Sequence, residues 1–270
     1  MKVSLISHSQ SVEHANILDL VSYCARVSNP ANQNNTTTNE KLVRYLIKNA
    51  HWSPFEMAHI CLEIETTRDI ARQILRHRSF AFQEFSQRYA VADLGVEYRE
   101  TRIQDTKNRQ NSIECNDANL EHVWNTQQRR VAETAQSAYQ WAIDNGIAKE
   151  QARAVLPEGM TVSRLYMNGT LRSWIHYIEL RSANGTQKEH QCVAVACAEA
   201  IAPIFPMIME FVSKPAPAPA QAQAQAQAQA PAQVATTEYC PTVATLLSPP
   251  TPYPTPYPTP YHSYDTLPIV

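Results

Sequence analysis

The chain has 270 residues, 44% of them hydrophobic and 18% charged, with a net charge of −2. That is enough apolar sequence for one substantial core. The near-neutral balance excludes a global field drawing the protein to nucleic acid or anionic lipid, so any anion site has to be local. Six cysteines (Cys24, Cys61, Cys115, Cys192, Cys197 and Cys240) show no C-x-x-C spacing and are expected as free thiols in a reducing cytoplasm. MKVSLISHSQ lacks the apolar run of a secretory signal. The most apolar window, 193–212, is interrupted by Glu199, Pro203, Pro206 and Glu210, which predicts a buried helix broken near its end and not a membrane span. The five glycines form neither G-x-G-x-x-G nor a P-loop, so a nucleotide would have to be held by side chains, arginines above all.

In chain order, residues 2–8 alternate as a strand. Ser11 is the expected cap of a helix through HANILDLVSYCARVS, and Thr37 with Glu40 the expected capping box before KLVRYLIKNA. HICLEIE alternates Ile60, Leu62 and Ile64 with other residues, as in a half-buried strand. Thr66 or Thr67 starts a helix through RDIARQILRHR that ends at Arg78. A long helix over 120–145 stops at Gly146, a short one covers 149–156, and two more cover 171–183 and 187–211. Strands around single helices, without repeated βαβ units, predict an α+β fold with a partly antiparallel sheet flanked by helices. At about Lys214 the composition changes to PAPAPAQAQAQ and then PTPYPTPYPTPY. The expected domains are therefore 1–213, folded, and 214–270, a disordered Pro/Ala/Gln/Tyr-rich tail.

The stretch RHRSFAFQEFSQRY concentrates the charged chemistry. Beside the apolar stripe of Ile70, Ala71, Ile74 and Leu75, residues Gln73, Arg76 and His77 share a helical face. If the chain beyond Ala81 is extended, Glu84, Ser86 and Arg88 point to one side of it. Guanidinium groups would then face a phosphate, and a hydroxyl and a carboxylate a sugar or base. Cations at a helix C-terminus are also favoured by the macrodipole, so spacing alone leaves a solvated basic surface open.

Arg76-His77-Arg78, seven residues and Ser86 match the R-H-R-x7-S motif, and the chain resembles the flavin-dependent thymidylate synthases. The longer pattern R-H-R-x-x-S-x-N-E-x-S-x-R-Y is met at Glu84, Ser86, Arg88 and Tyr89. It is missed at Ala81 and Gln83, where Ser and Asn are usual. HWSPFE (51–56) is similar to the family's H-x-[ST]-P-[FL]-E, ARAVLP (152–157) to its A-R-x-x-L-P, and TLRSWIHYIELR (170–181) to its following helix. Gln187 and Glu189 fall at its A-Q-x-E element.

The resemblance implies the α+β fold of that family and a homotetramer with shared active sites. It implies dUMP, methylene-tetrahydrofolate and NADPH as small-molecule substrates, FAD as cofactor, and dTMP as product. Gln73, Arg76, Glu84, Ser86, Gln87, Arg88, Arg153 and Arg181 would surround dUMP, with Ser86, Arg88 and Arg153 at its phosphate. Ser53, Glu56, Arg76, His77, Arg78, Glu84, Thr170, Arg172 and His176 would contact FAD. Arg181 would be catalytic, stabilising negative charge on the uracil edge, while Ser86 binds substrate and does not attack it. His51 would shape the folate or flavin entrance.

Other residues read as structural. His59 belongs to a strand, no histidine pairing has metal-site spacing, and no metal is expected. Trp124, Trp141, Tyr139 and Tyr177 are expected in the core. Two rival functions remain open to the sequence. One is a nucleic-acid module using Arg68, Arg72, Arg76, Arg78 and Arg88, which the acidic balance disfavours. The other is an interaction protein whose active part is the Pro/Tyr tail.

Overall fold

Alternate burial along β2 (His59–Thr67) seals Ile60, Leu62 and Ile64 completely, as its sequence pattern predicts. The computed structural model describes residues 1–213; Cys240 and the expected tail lie outside the described residues. The main sheet has four strands in the order β1-β2-β6-β3 and every pairing is antiparallel. Its members are β1 (Lys2–His8), β2, β3 (Phe80–Glu84) and β6 (Val162–Thr170). A separate hairpin joins β4 (Arg102–Gln104) to β5 (Ser112–Glu114). The fold is α+β.

β6 is central, paired with β2 on one side and β3 on the other, yet its sequence did not announce it. Arg164, Tyr166 and Asn168 lie on its more open face, and Leu165, Met167 and Gly169 on the buried one. Gly169 and Asn168 are turn-type residues, and that composition hid a sound alternation. The glycine has a packing reason: a Cβ there would fall 2.4 Å from Cδ1 of Phe80.

One core holds the helices to this sheet. It takes Ile17 and Val21 from α1 (Ile17–Ala25), Val43 and Leu46 from α2 (Asn39–Lys48), and Ile70, Ala71 and Ile74 from α3 (Arg68–Ile74). α6 (Leu171–Ser182) contributes Trp174, Tyr177 and Ile178, and α7 (Lys188–Ile201) contributes Val193, Cys197 and Ile201. The buried Trp174 indole donates to the Ile60 carbonyl at 3.0 Å, so the helix is pinned to β2 with its one polar atom satisfied. α7 stops at Ile201 ahead of Pro203, and a short 3₁₀ turn, Pro206–Phe211, follows, matching the expected break.

Several local expectations change. Asn16, not Ser11, caps α1, accepting from the Asp19 amide; the Ser11 hydroxyl closes a turn with Glu13 and His14. The expected Thr37–Glu40 capping box does not form at α2: Thr37 precedes the N-cap and its hydroxyl donates to Asn35 Oδ1 at 2.8 Å, while the hydroxyl of the N-cap Thr38 accepts from buried Arg26. α3 ends at Ile74 and not Arg78, so Arg76, His77 and Arg78 lie in the turn leading to β3. α4 (Ala118–Asp144) starts at an Asp117 cap and stops before Gly146 at φ +76°. It meets α5 (Lys149–Ala152) through buried Tyr139, Ala142 and Ala152. Tyr139 and Tyr177 are core residues, but Trp124 and Trp141 are 42% and 62% exposed. They lie on different open faces of α4, Trp124 lining one cavity and Trp141 another. Among the described residues Cys24, Cys61, Cys115, Cys192 and Cys197 are free thiols.

Candidate active site

Two clusters of the expected residues form at opposite ends of β3. The first lies where the turn after α3 runs along α6. Ser173, Tyr177 and Arg181 recur every four residues on α6, so they make one stripe. The Ser173 hydroxyl donates to the Ser79 carbonyl at 3.2 Å, and the His77 ring meets Tyr177 edge-on at 5.0 Å. Arg181 Nε then donates to His77 Nε2 at 2.9 Å. That bond requires a bare Nε2, hence a neutral ring. Burial, with the Arg181 and Arg76 charges adding to it, pushes the His77 pKa down to about 4. His77 is therefore an acceptor that fixes the guanidinium plane of Arg181, leaving both Nη groups free of that bond. Gln73 stands nearby, held by Gln187 at 2.8 Å and His190 at 3.2 Å.

On the next stripe of α6, Arg172 forms an ion pair with Glu56. Glu56 belongs to the 3₁₀ turn Ser53–Met57, and Trp52 ahead of it packs edge-on to His176 at 4.6 Å. Burial, then the Arg172 charge, lowers the His176 pKa, while Glu179 opposes the shift. Thr170 caps α6 by accepting from the Ser173 amide. Ser53, Glu56, Thr170, Arg172 and His176 thus surround the N-terminal half of α6, and Arg78 is exposed on the adjoining turn.

The second cluster begins where β3 ends. Glu84 accepts from the Ser163 hydroxyl at 2.9 Å and lies 3.8 Å from Arg68. Beyond Phe85 the chain turns, with Tyr89 and Ala90 amides donating to the Ser86 carbonyl, so Ser86 and Arg88 do not continue the strand face of Glu84. A cavity of about 360 Å³ opens there, lined by Arg68, Arg72, Gln87, Glu150, Arg153, Ala154, Leu156 and Glu158. The Gln87 amide nitrogen is buried without a partner, an unmet donor in a cationic cavity. Arg88 reaches Glu150 at 3.2 Å, with both side chains about half exposed.

The charges are unequal across these clusters. Among the described residues, Arg76, Arg78, Arg153 and Arg181 have no carboxylate within 4.0 Å, whereas Arg68, Arg72, Arg88 and Arg172 do. Unpaired guanidinium groups at a turn and in a cavity fit anionic ligands. Arg68, Arg72 and Glu158 were not among the expected ligands. The four-residue spacing of Arg68, Arg72 and Arg76 was visible in the sequence, but Arg68 and Arg72 entered only the disfavoured nucleic-acid alternative. Tyr177 and His190 were missed as polar site members because each sits on an otherwise apolar helix face. His59 is exposed at the start of β2 and His51 at the end of the α2 loop.

Unpaired guanidinium groups on an α+β frame, beside a cavity with an unmet donor, make an arrangement suited to small anionic ligands. Residues 5–207 match the family described as thymidylate synthase complementing protein, and the chain belongs to it. It is 48% identical over 210 residues to a "Probable flavin-dependent thymidylate synthase" of Paramecium bursaria Chlorella virus 1, covering 77% of this chain and 97% of that one. It is 49% identical over 191 residues to the "Flavin-dependent thymidylate synthase" of Synechocystis sp., covering 70% and 86%. Among solved structures it is similar to a UMP/dUMP methylase, PolB, from Streptomyces cacaoi bound with 5-Br dUMP. That likeness has a TM-score of 0.67 and 27% identity, over 78% of this chain and 93% of that one.

Proposed function

We infer that the chain is a flavin-dependent thymidylate synthase that methylates dUMP to dTMP. The observation that carries this reading is the set of four unpaired arginines, two of them flanking neutral His77, on a chain of this family. Methylene-tetrahydrofolate is the carbon donor, and FAD, reduced by NADPH, supplies the hydride that completes the methyl group.

The chain's own residues have three tasks. Arg153, Arg88 and Ser86 bind the dUMP phosphate with the unmet Gln87 donor, in the cavity beyond β3. Gln73, Arg76, Glu84 and Arg181 position the nucleoside. Arg181 places its free Nη groups at the N3–O2 edge of uracil, where they stabilise negative charge and so raise electron density at C5. Neutral His77 keeps that positive charge undiluted in direction, since it accepts from Nε and cannot compete for the base. Ser53, Glu56, Arg76, His77, Arg78, Glu84, Thr170, Arg172 and His176 hold the flavin. Their donors and unpaired Arg78 suit a pyrophosphate and an isoalloxazine edge.

Covalent activation through a protein nucleophile has little support. Burial raises the thiol pKa of Cys24, Cys61 and Cys197, so these stay protonated. The Ser86 hydroxyl oxygen accepts only from the Arg88 amide, at 3.4 Å. His77 is on the far side of β3, whose five residues span roughly 13 Å, and cannot serve as its base within one chain.

The assembly proposed is a homotetramer in which a neighbouring copy completes each site. Two observations support it. No side-chain bond joins the two clusters among the described residues, and Trp141, Ile147 and Val155 line a groove of about 920 Å³ between α4 and the turn 153–155. Residues 1–213 form the enzyme domain and the remainder an appended tail. No described helix is long and apolar enough to cross a membrane. The free thiols and the small-molecule substrates support the cytoplasmic site of action proposed. Titrating dUMP into FAD-loaded protein tests the site: saturable binding weakened by inorganic phosphate is expected, and no binding contradicts it.

A further inference from the structure

Behind Gln73 lies a run of side-chain hydrogen bonds whose direction is set at one end. Gln187 Nε2 donates to Glu189 Oε2 at 2.8 Å, and Gln73 Nε2 donates to Gln187 Oε1 at 2.8 Å. His190 Nδ1 lies 3.2 Å from Gln73 Oε1, and His190 Nε2 lies 3.1 Å from the Tyr177 hydroxyl. Each middle member can face either way: an amide can flip, an imidazole can change tautomer, and a phenol can donate or accept. Only Glu189 lacks that freedom, because an ionised carboxylate accepts and never donates.

The consequences follow link by link. Glu189 must receive the Gln187 NH₂, so the Gln187 carbonyl faces Gln73. That carbonyl must receive the Gln73 NH₂, so the Gln73 carbonyl faces His190. His190 must then carry its proton on Nδ1, leaving Nε2 to accept from Tyr177. Burial first, then the charges of Arg181, His77 and Arg76, push the His190 pKa down to about 3, so the ring is neutral as the chain of bonds demands. Tyr177 is buried and its pKa is raised, so its proton is available to donate.

We infer that Glu189, acting through Gln187, and His190, backed by Tyr177, are positioning residues that fix which end of the Gln73 amide faces the substrate. With its carbonyl and one N–H committed, Gln73 has one N–H and one carbonyl lone pair in fixed directions. Reversing the bonds would exchange these two groups. The effect on substrate rests on the reading of Gln73 as a dUMP ligand; the sense of the bonds does not.

Two measurements separate these levels. Neutron diffraction from unliganded full-length crystals exchanged into deuterium oxide should show deuterium on His190 Nδ1 and the Gln73 ND₂ towards Gln187. Deuterium on Nε2 with Nδ1 bare overturns the assignment. In calorimetry, Glu189→Gln, which keeps the shape but can donate, should weaken dUMP binding about five- to tenfold. The exchange Gln187→Glu with Glu189→Gln puts an acceptor-only group next to Gln73 and should recover most of that affinity. Unchanged affinity in Glu189→Gln, or no recovery in the exchange, contradicts the positioning role. A wild-type protein that binds no dUMP sinks the substrate reading and the effect on it, while the deuterium positions still decide the sense of the bonds.

Discussion

Arg181 and Arg88 are both proposed dUMP ligands, and their different surroundings predict opposite kinetic signatures. Arg181 is oriented by His77 and, in the proposed reaction, faces charge that grows on the uracil. Arg181→Ala should lower kcat by about 10²–10³-fold while FAD content, read from flavin absorbance, stays near normal; near-normal turnover contradicts the assignment. Arg88 holds only a solvent-screened pair with Glu150, which a phosphate can replace without large cost. Arg88→Ala should raise the KM for dUMP about tenfold or more with little change in kcat, as for a ground-state contact. The histidines make a third prediction. The folded pKa values, about 4 for His77 and about 3 for His190, lie below the ordinary value of 6.5. Folding favours their neutral forms, so that stability is complete above pH 6.5 and is lost as the pH falls towards 4 and then 3. Thermal unfolding across that range should show a steeper acid loss in wild type than in His190→Gln, and parallel curves contradict it. At this scale the sequence motif named Arg76, His77, Arg78 and Ser86, since those residues fall within one short stretch of chain at fixed spacing. It could not name Arg68, Tyr177 or His190, which reach the site only through the packing of α3, α6 and α7.

Among elements, β6 bears most of the architecture, and Gly169 is its tightest point. Adding a methyl group there drives Cβ into the Phe80 ring, itself wedged against Trp174 at 4.8 Å. Gly169→Ala should cost about 1–3 kcal/mol in chemical denaturation, and a neutral result would show that Phe80 can yield. The helices and β2 were legible because each carries its period over several turns or repeats, as in Ile60, Leu62 and Ile64. β6 was not, because its alternation is broken by small and turn-type residues that only the neighbouring strands explain. The caps failed for a related reason. Ser11 and Thr37 have the right chemistry, but Asn16 closes α1, and the Thr37 hydroxyl is bound to Asn35 one residue ahead of the N-cap. Local signals give candidates, and tertiary bonds choose among them. The loss of the last helical turn matters most for function: ending α3 at Ile74 frees Arg76–Arg78 to line a turn.

For the whole molecule, the two clusters lie at opposite ends of β3, and the proposed homotetramer would join them between copies. Co-expressing Arg181→Ala with Arg88→Ala chains should give mixed oligomers more active at low dUMP than either parent, because some sites then draw Arg181 from an Arg88→Ala chain and Arg88 from an Arg181→Ala chain. No gain over the parents would mean that one chain supplies both. Truncation after Ser213 should leave turnover unchanged if residues 1–213 are the enzyme domain, and a large loss would assign the tail a part in activity. Trp124 and Trp141, expected in the core from the sequence, are exposed and would be contact residues of the proposed homotetramer. The most direct test of the central claim is dTMP formation by purified protein supplied with dUMP, methylene-tetrahydrofolate, NADPH and FAD. Product that appears with FAD and disappears when it is withheld is the predicted result; no product from folded, flavin-loaded protein contradicts it.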